Sequence, residues 1–353
     1  METMNAEQPA ISVIMPCYNR SHDLRRILEA YDQQDAGQPF EIIAIDDASM
    51  DDTFALLSGF HANHFRLIAE TQSHNQGPAA ARNRALGLVS APLVVIVGDD
   101  ILPERDFIRR HLDAHQFYPE ENTAILGRVC WPDDMPCNTL MRHIDGIGAQ
   151  QFGYHYLHSG RDYSFFHFYT ANISIKMNML RKLDHWFDTD FPYAAWEDAE
   201  LSYRLWRKQG MRIKYIASPT GRHYHYHNIW TFSARQYQVG RMAQVMVRKH
   251  PELELVLRGP ARRALGYGMR ALAGTGRRRP HAALEARALE LASLHEWDGH
   301  PLLDIFYLRL LEYYYFKGWI DALFGRMKPV SRIHDAHARL RLVRAIHWLD
   351  DAA

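Results

Sequence analysis

From Ile11 to about Glu120 the chain alternates short apolar runs with helical patterns, and that rhythm leaves few folds open. AISVIMP, FEIIAID, FRLIAE and PLVVIVG are the apolar runs, with SHDLRRILEAYDQQ, DDTFALLSGF and GPAAARNRALGLV between them. Near-continuous Val/Ile runs are what strands look like when helices cover both faces of a sheet, because no position then faces water. The expected fold is therefore α/β, with a mainly parallel central sheet and helices on both faces. Ligands of such sheets gather at the carboxyl ends of the strands. Two of the runs lead straight into paired acids, Asp46-Asp47 and Asp99-Asp100. Ser21 and Asp51 stand where N-caps are expected, and Gly77-Pro78 reads as a turn with a proline in the first helical turn.

With 353 residues and 47% hydrophobic content, the chain suits one large domain with an appendage. Residues 1–234 hold 21 basic and 29 acidic side chains, whereas 235–353 hold 20 and 12. An acidic front half suits metal and polar-ligand chemistry. A basic tail suits anionic lipid, a phosphorylated acceptor, the acidic half of another subunit, or simply a solvated helical surface. No nucleic-acid partner is expected. Cys17, Cys130 and Cys137 are odd in number and form no CxxC pair, which argues against a disulfide framework and a cysteine zinc site. METMNAEQPA lacks a basic segment followed by an apolar one, and the longest aliphatic run, Leu93 to Val97, is far short of the roughly 20 residues a bilayer span needs. A cytoplasmic protein is expected, with peripheral contact at the inner face of the membrane as an option.

Between about 121 and 234 the pattern is less regular, with WPDDMPC, the aromatic-rich YHYLHSGRDYSFFHFYTANISI, the helical WEDAELSYRLWRKQG and the strand-like MRIKYIA. Beyond Ser233 the pattern is almost entirely helical, broken at 258–260, 274–280 and 328–331. PLLDIFYLRLLEYYYFKGWIDALFG at 300–324 is apolar nearly all round and reads as a buried helix, while RIHDAHARLRLVRAIHWL at 332–349 reads as a closing helix with a basic face. The expected organisation is a tail at 1–10, a catalytic domain at 11–232 with halves at about 11–120 and 121–232, and a helical region at 233–353. Contact with a membrane or a second copy through the last region is the interaction it suggests.

Five segments in order, IMPCYN, IDDASMD, GPAAARN, VGDDILP and WEDAELSYRLWRKQG, resemble the inverting family 2 glycosyltransferases of GT-A fold, over roughly residues 10–250. The resemblance implies that Pro16, Tyr18 and Asn19 pack the nucleotide base and ribose. It implies that a carboxylate of Asp46 or Asp47 accepts the N3–H of uracil. Arg82 and Asn83 are the polar residues of a helix start led by Gly77, and Arg82 would help neutralise the diphosphate, although an arginine there also reads as structural. The commonest metal motif has two aspartates flanking one residue, and here Gly98 takes the first position. Aligned on Pro103, Asp100 falls on the metal-coordinating aspartate and Asp99 on the ribose. In HYHYH at 223–227 the three histidines share one face if extended. Counting from Pro219, the resemblance selects His225 as a metal ligand, with His227 as runner-up. The ion would be Mn²⁺ or Mg²⁺. Asp198 falls on the family's catalytic base and Glu197 beside it, at the positive end of a helix whose Leu201 and Leu205 face inward and whose stop is Gly210. Asn172 would line a donor or acceptor pocket, and Trp196 would stack on a sugar or staple its own helix.

The function implied is transfer of a single sugar from a nucleotide-diphosphate sugar, UDP favoured, to a hydroxyl of a glycan, lipid-linked or other acceptor, with inversion. Glycan, capsule or lipopolysaccharide assembly is the setting it suggests. The rivals are another sugar-nucleotide enzyme such as a nucleotidyltransferase, and a non-catalytic nucleotide- or metal-binding protein built on the histidines. A nucleotidyltransferase calls for a Gly-rich basic loop after the first strand, where this chain has PCYNRSHD. A processive synthase calls for membrane helices and a Q-x-x-R-W segment, of which ARQYQVGR is a faint echo.

Overall fold

The computed structural model describes residues 8–148, 150–258, 289–290, 292–294, 296 and 303–325. They divide into two compact units, one within Met1–Pro136 and Phe152–His225, the other within Cys137–Gln151 and Tyr226–Ala353. The division falls at His225/Tyr226 rather than 232/233, and it assigns 137–151 to the second unit.

In the first unit β1 (Ile11–Cys17), α1 (Ser21–Asp32), β2 (Phe40–Asp46), α2 (Thr53–Gly59), β3 (Arg66–Thr71), α3 (Pro78–Leu86) and β4 (Leu93–Val97) follow the alternation read from the sequence. Then come β5 (Ile101–Pro103), α4 (Phe107–Phe117) and β6 (Thr123–Cys130), and, after α5 (Thr139–Asp145) of the second unit, β7 (Asp162–Tyr163), β8 (Asn172–Lys176), α6 (Met177–Arg181), α7 (Glu197–Gln209) and β9 (Arg212–His223). The sheet order is β3-β2-β1-β4-β8-β6-β9-β5, with β7 also on β9. The first four strands are parallel; β8 runs antiparallel to both β4 and β6, which makes the second half mixed. Alternate strand residues feed two cores. Ile14, Ile43, Ile45 and Ile96 meet α3 and α7 on one face, while Val13, Met15, Ile42 and Val95 meet α1, α2 and α4 on the other.

Local signals explain some of the helix ends. Gly77, at φ +87°, precedes Pro78 at the first turn of α3, and Gly210, at φ +63°, closes α7 by donating to Leu205 and Trp206 carbonyls. Ser21 is the first residue of α1 rather than its cap. Its hydroxyl donates to Asp51 Oδ2 (2.9 Å), and Asp51 Oδ1 accepts from Thr53 N–H (3.0 Å), so one carboxylate ties together the starts of two helices.

The second unit contains α5, α8 (Ile229–Lys249), α9 (Glu254–Leu257) and α10 (Leu303–Leu323). Helices α8 and α10 cross at Gly240 and Gly318. A Cβ on Gly240 would come within 1.9 Å of the Tyr315 carbonyl oxygen, and one on Gly318 within 1.9 Å of that of Tyr237. Helix α10 buries Tyr307, Leu311, Tyr314 and Trp319 but exposes Ile305 and Leu323, so one side of it is solvated. The expected closing helix at 332–349 and the breaks at 274–280 and 328–331 lie outside the described residues. No described helix is long and apolar enough to cross a membrane.

Candidate functional site

Strands β2, β1 and β4 finish side by side, with Cys17 in register with Asp46 and Ile14 with Ile96. The turns after them therefore share one edge of the sheet. Pro16 lies inside β1 opposite Ile45, one residue before the strand ends. Tyr18 is 42% exposed and its N–H donates to Asp99 Oδ2 (3.0 Å). Asn19 adopts φ 53°, donates its N–H to Ser49 Oγ (2.8 Å) and accepts from Met50 N–H (2.9 Å). Asp47 N–H reaches the Cys17 carbonyl (2.8 Å), so the first two turns are stitched together.

Both acids after β2 are buried. Asp46 accepts from Thr71 Oγ1 (2.8 Å) and Ser49 N–H (3.3 Å), while Asp47 accepts from Gln72 Nε2 (2.6 Å) and from the N–H groups of Gln76 and Gly77 (2.8 Å each). A carboxylate offers about four acceptor positions. Asp46 keeps more capacity for a ligand, and Asp47 serves chiefly to hold the entry to α3.

Asp99 and Asp100 follow β4 and Gly98. A Cβ on Gly98 would lie 2.6 Å from Asp100 Oδ1, so a side chain there would require the Asp100 carboxylate to turn. Asp100 Oδ2 lies 2.9 Å from His225 Nδ1 and 3.3 Å from His223 Nε2. Trp131 stacks on the His223 ring at 5.1 Å between centroids and fixes its plane. One carboxylate oxygen and two imidazole nitrogens within 4.8 Å of one another form a donor set that fits a first-row divalent ion. His227 does not join them. Strand β9 ends at His223, the period of two ends with it, and His227 packs on Phe232 in the second unit.

The sequence offered His223 only as one of three histidines on a face and preferred His225 and His227 to it. Arg20 was not singled out at all; its Nη2 lies 3.0 Å from both Asp100 Oδ2 and His225 Nδ1, with Nε 3.4 Å from Asp99 Oδ1. An arginine after P-x-Y-N looks like a surface residue opening a helix, and only the adjacency of β1 and β4 brings it onto the acids. Asp99 is pushed up by burial and by the charge of Asp100, against Arg20. For Asp100 burial acts upward too, but His223 and His225 outweigh it and hold the carboxyl well below its ordinary range.

The acids of WEDAEL open α7, with Glu197, Asp198 and Glu200 in its first turn. Asp198 is half-buried, and Oδ1 accepts from Ala199 N–H (2.7 Å). Its charge reaches Tyr169, whose hydroxyl is raised by burial first and by Tyr156 and Asp198 further. Arg82, expected near diphosphate, instead pairs with Glu197 (Nη1–Oε1 2.8 Å), both nearly buried, while Asn83 exchanges hydrogen bonds with the Phe187 backbone (2.8 and 2.9 Å). Gly77 abuts Pro192, whose carbonyl oxygen a Cβ would meet at 2.6 Å. Helix α3 thus grips the segment that leads into α7. Trp196, at φ 72°, precedes α7 and meets Phe166 edge-on at 6.2 Å.

Asn172 lines no pocket. It is fully buried, its Oδ1 engages His111 Nε2 (2.8 Å), and its Nδ2 donates to the carbonyls of Arg128 and Pro219 (2.9 Å each). A cavity of about 590 Å³ opens near Leu93, His115 and Lys176, at the opposite ends of the strands, so volume alone does not mark the site.

Residues 12–180 match the family model described as glycosyl transferase family 2. The chain is 34% identical over 116 residues to the uncharacterized glycosyltransferase YfnE of Bacillus subtilis, covering 33% of this chain and 29% of that protein. It is 26% identical over 232 residues to validoxylamine A glucosyltransferase of Streptomyces hygroscopicus, covering 56% and 48%. Its fold resembles that of the mannosyltransferase PcManGT from Pyrobaculum calidifontis, solved in complex with GDP-Man and Mn²⁺, with a TM-score of 0.58 at 18% identity over 91% of this chain and 88% of that one. At that identity the likeness speaks for the GT-A fold alone. The matches span about half or less of the length of these curated relatives.

Proposed function

Residues 12–180 belong to glycosyl transferase family 2, and from that premise we propose that the chain transfers a single sugar from a nucleotide-diphosphate sugar, with UDP favoured, to an acceptor hydroxyl with inversion, in glycan, capsule or lipopolysaccharide assembly. The observation that carries the reading is the convergence of Asp100, His223 and His225 beside the turns that follow β1 and β2. Tyr18 and Asn19 offer an exposed ring and a fixed backbone to the nucleotide, and Asp46 offers acceptor capacity for the uracil N3–H. Asp99, which accepts from Tyr18 N–H at the end of the first turn, would take the ribose. Asp100, His223 and His225 would hold a divalent cation, Mn²⁺ favoured by the two imidazoles, which when bound supplies positive charge at the leaving diphosphate. PcManGT, which shares the fold, was solved with Mn²⁺.

Asp198 takes the acceptor proton. It stands half-buried in the first turn of α7, which leaves a face for the acceptor. The hydroxyl it deprotonates attacks the anomeric carbon opposite the diphosphate, so configuration inverts. Glu197, clamped by Arg82, sets the orientation of that first turn.

The test is calorimetry and thermal stabilisation with UDP, GDP and dTDP, each with Mn²⁺, Mg²⁺ or EDTA, on the wild type, Asp100→Ala and Asp198→Asn. One nucleotide should bind with metal, lose affinity in Asp100→Ala and keep it in Asp198→Asn, which should have lost turnover. A folded protein that binds none of the three with metal present would sink the reading.

A further inference from the structure

Resting on the divalent cation of the proposed reaction, we propose that Trp131 and Tyr224 are positioning residues for that cation: a short segment after β6 clamps the end of β9 and holds both imidazoles beside Asp100 before the ion arrives. Strands β6 and β9 run parallel at this end, with Cys130 in register with Arg222. Trp131 therefore leaves β6 beside His223, and its ring covers a face of that imidazole at 5.1 Å and 10°. Phe152 meets the same imidazole at 6.0 Å and 53°. His223 is 5% exposed, and its Nε2 lies 3.3 Å from Asp100 Oδ2. Turning the ring would drive it into the indole, so the stack keeps Nε2 toward the carboxylate.

His225 lies beyond β9, which ends at His223, and Tyr224 is the one residue between them. What anchors Tyr224 therefore helps to anchor His225. Tyr224 N–H donates to the Asp100 carbonyl (2.8 Å), and its hydroxyl donates to Asp134 Oδ1 (2.6 Å). Asp134 Oδ2 accepts from Arg26 Nη2 (3.1 Å), and Arg26 Cζ lies 4.5 Å from the centre of the Tyr224 ring. Side chains from α1, from the segment after β6 and from the end of β9 thus close a ring of mutual contacts. Asp133 adds a longer pair with Arg222 (3.6 Å), so residues 131, 133 and 134 of one segment hold residues 223, 222 and 224 of the other. Exposure separates positioning from stability. The Arg26 and Asp134 side chains are 54% and 58% exposed, and pairs so exposed contribute little to the fold. An ion entering a preset site, by contrast, does not have to order its ligands. Groups that orient ligating histidines are worth about 10–100-fold in metal affinity, and the lower end applies to a latch that acts through the neighbouring residue.

The experiment titrates the metal-free full-length protein with Mn²⁺ by calorimetry and with Co²⁺ by absorption, whose d–d bands report ligand number and geometry. Tyr224→Phe and Asp134→Ala should each weaken Mn²⁺ binding about tenfold and shift the Co²⁺ bands. The metal-free Tm of each should stay within about 2 °C of the wild type. The double variant should lose no more than either single one, and Asp134→Asn, which keeps an acceptor for the Tyr224 hydroxyl, should recover part of the loss. Trp131→Leu should weaken binding likewise, and Trp131→Phe should restore it. Unchanged affinity and Co²⁺ bands in Tyr224→Phe and Asp134→Ala overturn the positioning role while the cation site and the transferase reading stand. A loss matched by a fall in metal-free Tm, or losses that add in the double variant, overturn it equally. A folded wild type that binds neither ion overturns the cation site, and this proposal with it.

Discussion

Replacing Arg20 by methionine removes the guanidinium from two adjacent carboxylates and leaves its aliphatic packing. At an effective dielectric of about 20, contacts of 3.0 and 3.4 Å are each worth about 5 kcal/mol before desolvation. Removing one partner of a buried ion pair costs about 3–5 kcal/mol in practice. Here the lower end applies, because Arg20 is 19% exposed and Asp99, already raised by burial and by Asp100, can take up a proton. The expected loss is about 3 kcal/mol, or a fall in Tm of roughly 6–12 °C for a domain of this size. A divalent cation at the same carboxylates should replace the missing charge. In differential scanning fluorimetry, Mn²⁺ should therefore raise the Tm of Arg20→Met much more than that of the wild type, and calorimetry should show tighter Mn²⁺ binding by the variant. A fall below about 2 °C, or an equal rise with Mn²⁺ in both proteins, would refute the claim that Arg20 and the ion share these ligands.

Acid should unfold the protein through His111 and His115. Burial lowers them to about 4 and about 3, with Lys176 adding to the shift of His115. The unfolded chain protonates first, near 6.5, so stability falls as pH drops below that value, by at most nearly 3 kcal/mol per pH unit for the pair. Denaturant titrations at pH 7, 6 and 5 should show this slope, with His115→Gln removing about half of it. Gly240→Ala should cost about 3 kcal/mol, since the methyl group must part α8 and α10; a neutral result would mean the helices cross less closely. Asn172→Ala strands the Arg128 and Pro219 carbonyls and should cost about 3 kcal/mol while the folded fraction binds UDP with unchanged affinity. Weakened UDP binding would return Asn172 to the pocket.

The parallel half of the sheet was legible because burial on both faces writes itself into continuous apolar runs such as IIAI and LVVIV. Asp100 and His225 were reached through the resemblance, by alignment on Pro103 and counting from Pro219, and the structure brings their side chains within 2.9 Å. Arg20 was not, since its role depends on β1 lying next to β4, and strand order is a property of the whole sheet. Reading His223, His225 and His227 as one face assumed a strand that stops at His223. Asn172 looked like a pocket residue because TANISI precedes the acidic helix. That segment is the central antiparallel strand β8, with neighbours on both edges and no face open to a ligand.

Gly77 against Pro192 and Arg82 against Glu197 have a consequence for recombination. Acceptor specificity is often sought by exchanging the second half of a transferase for that of a relative. Here the graft would have to bring a compatible pair at positions 77 and 82, which lie more than a hundred residues upstream of the exchanged helix. A crossover placed at the natural-looking join near residue 120 would separate each knob from its socket, and the hybrid would inherit an α3 and an α7 that no longer fit together.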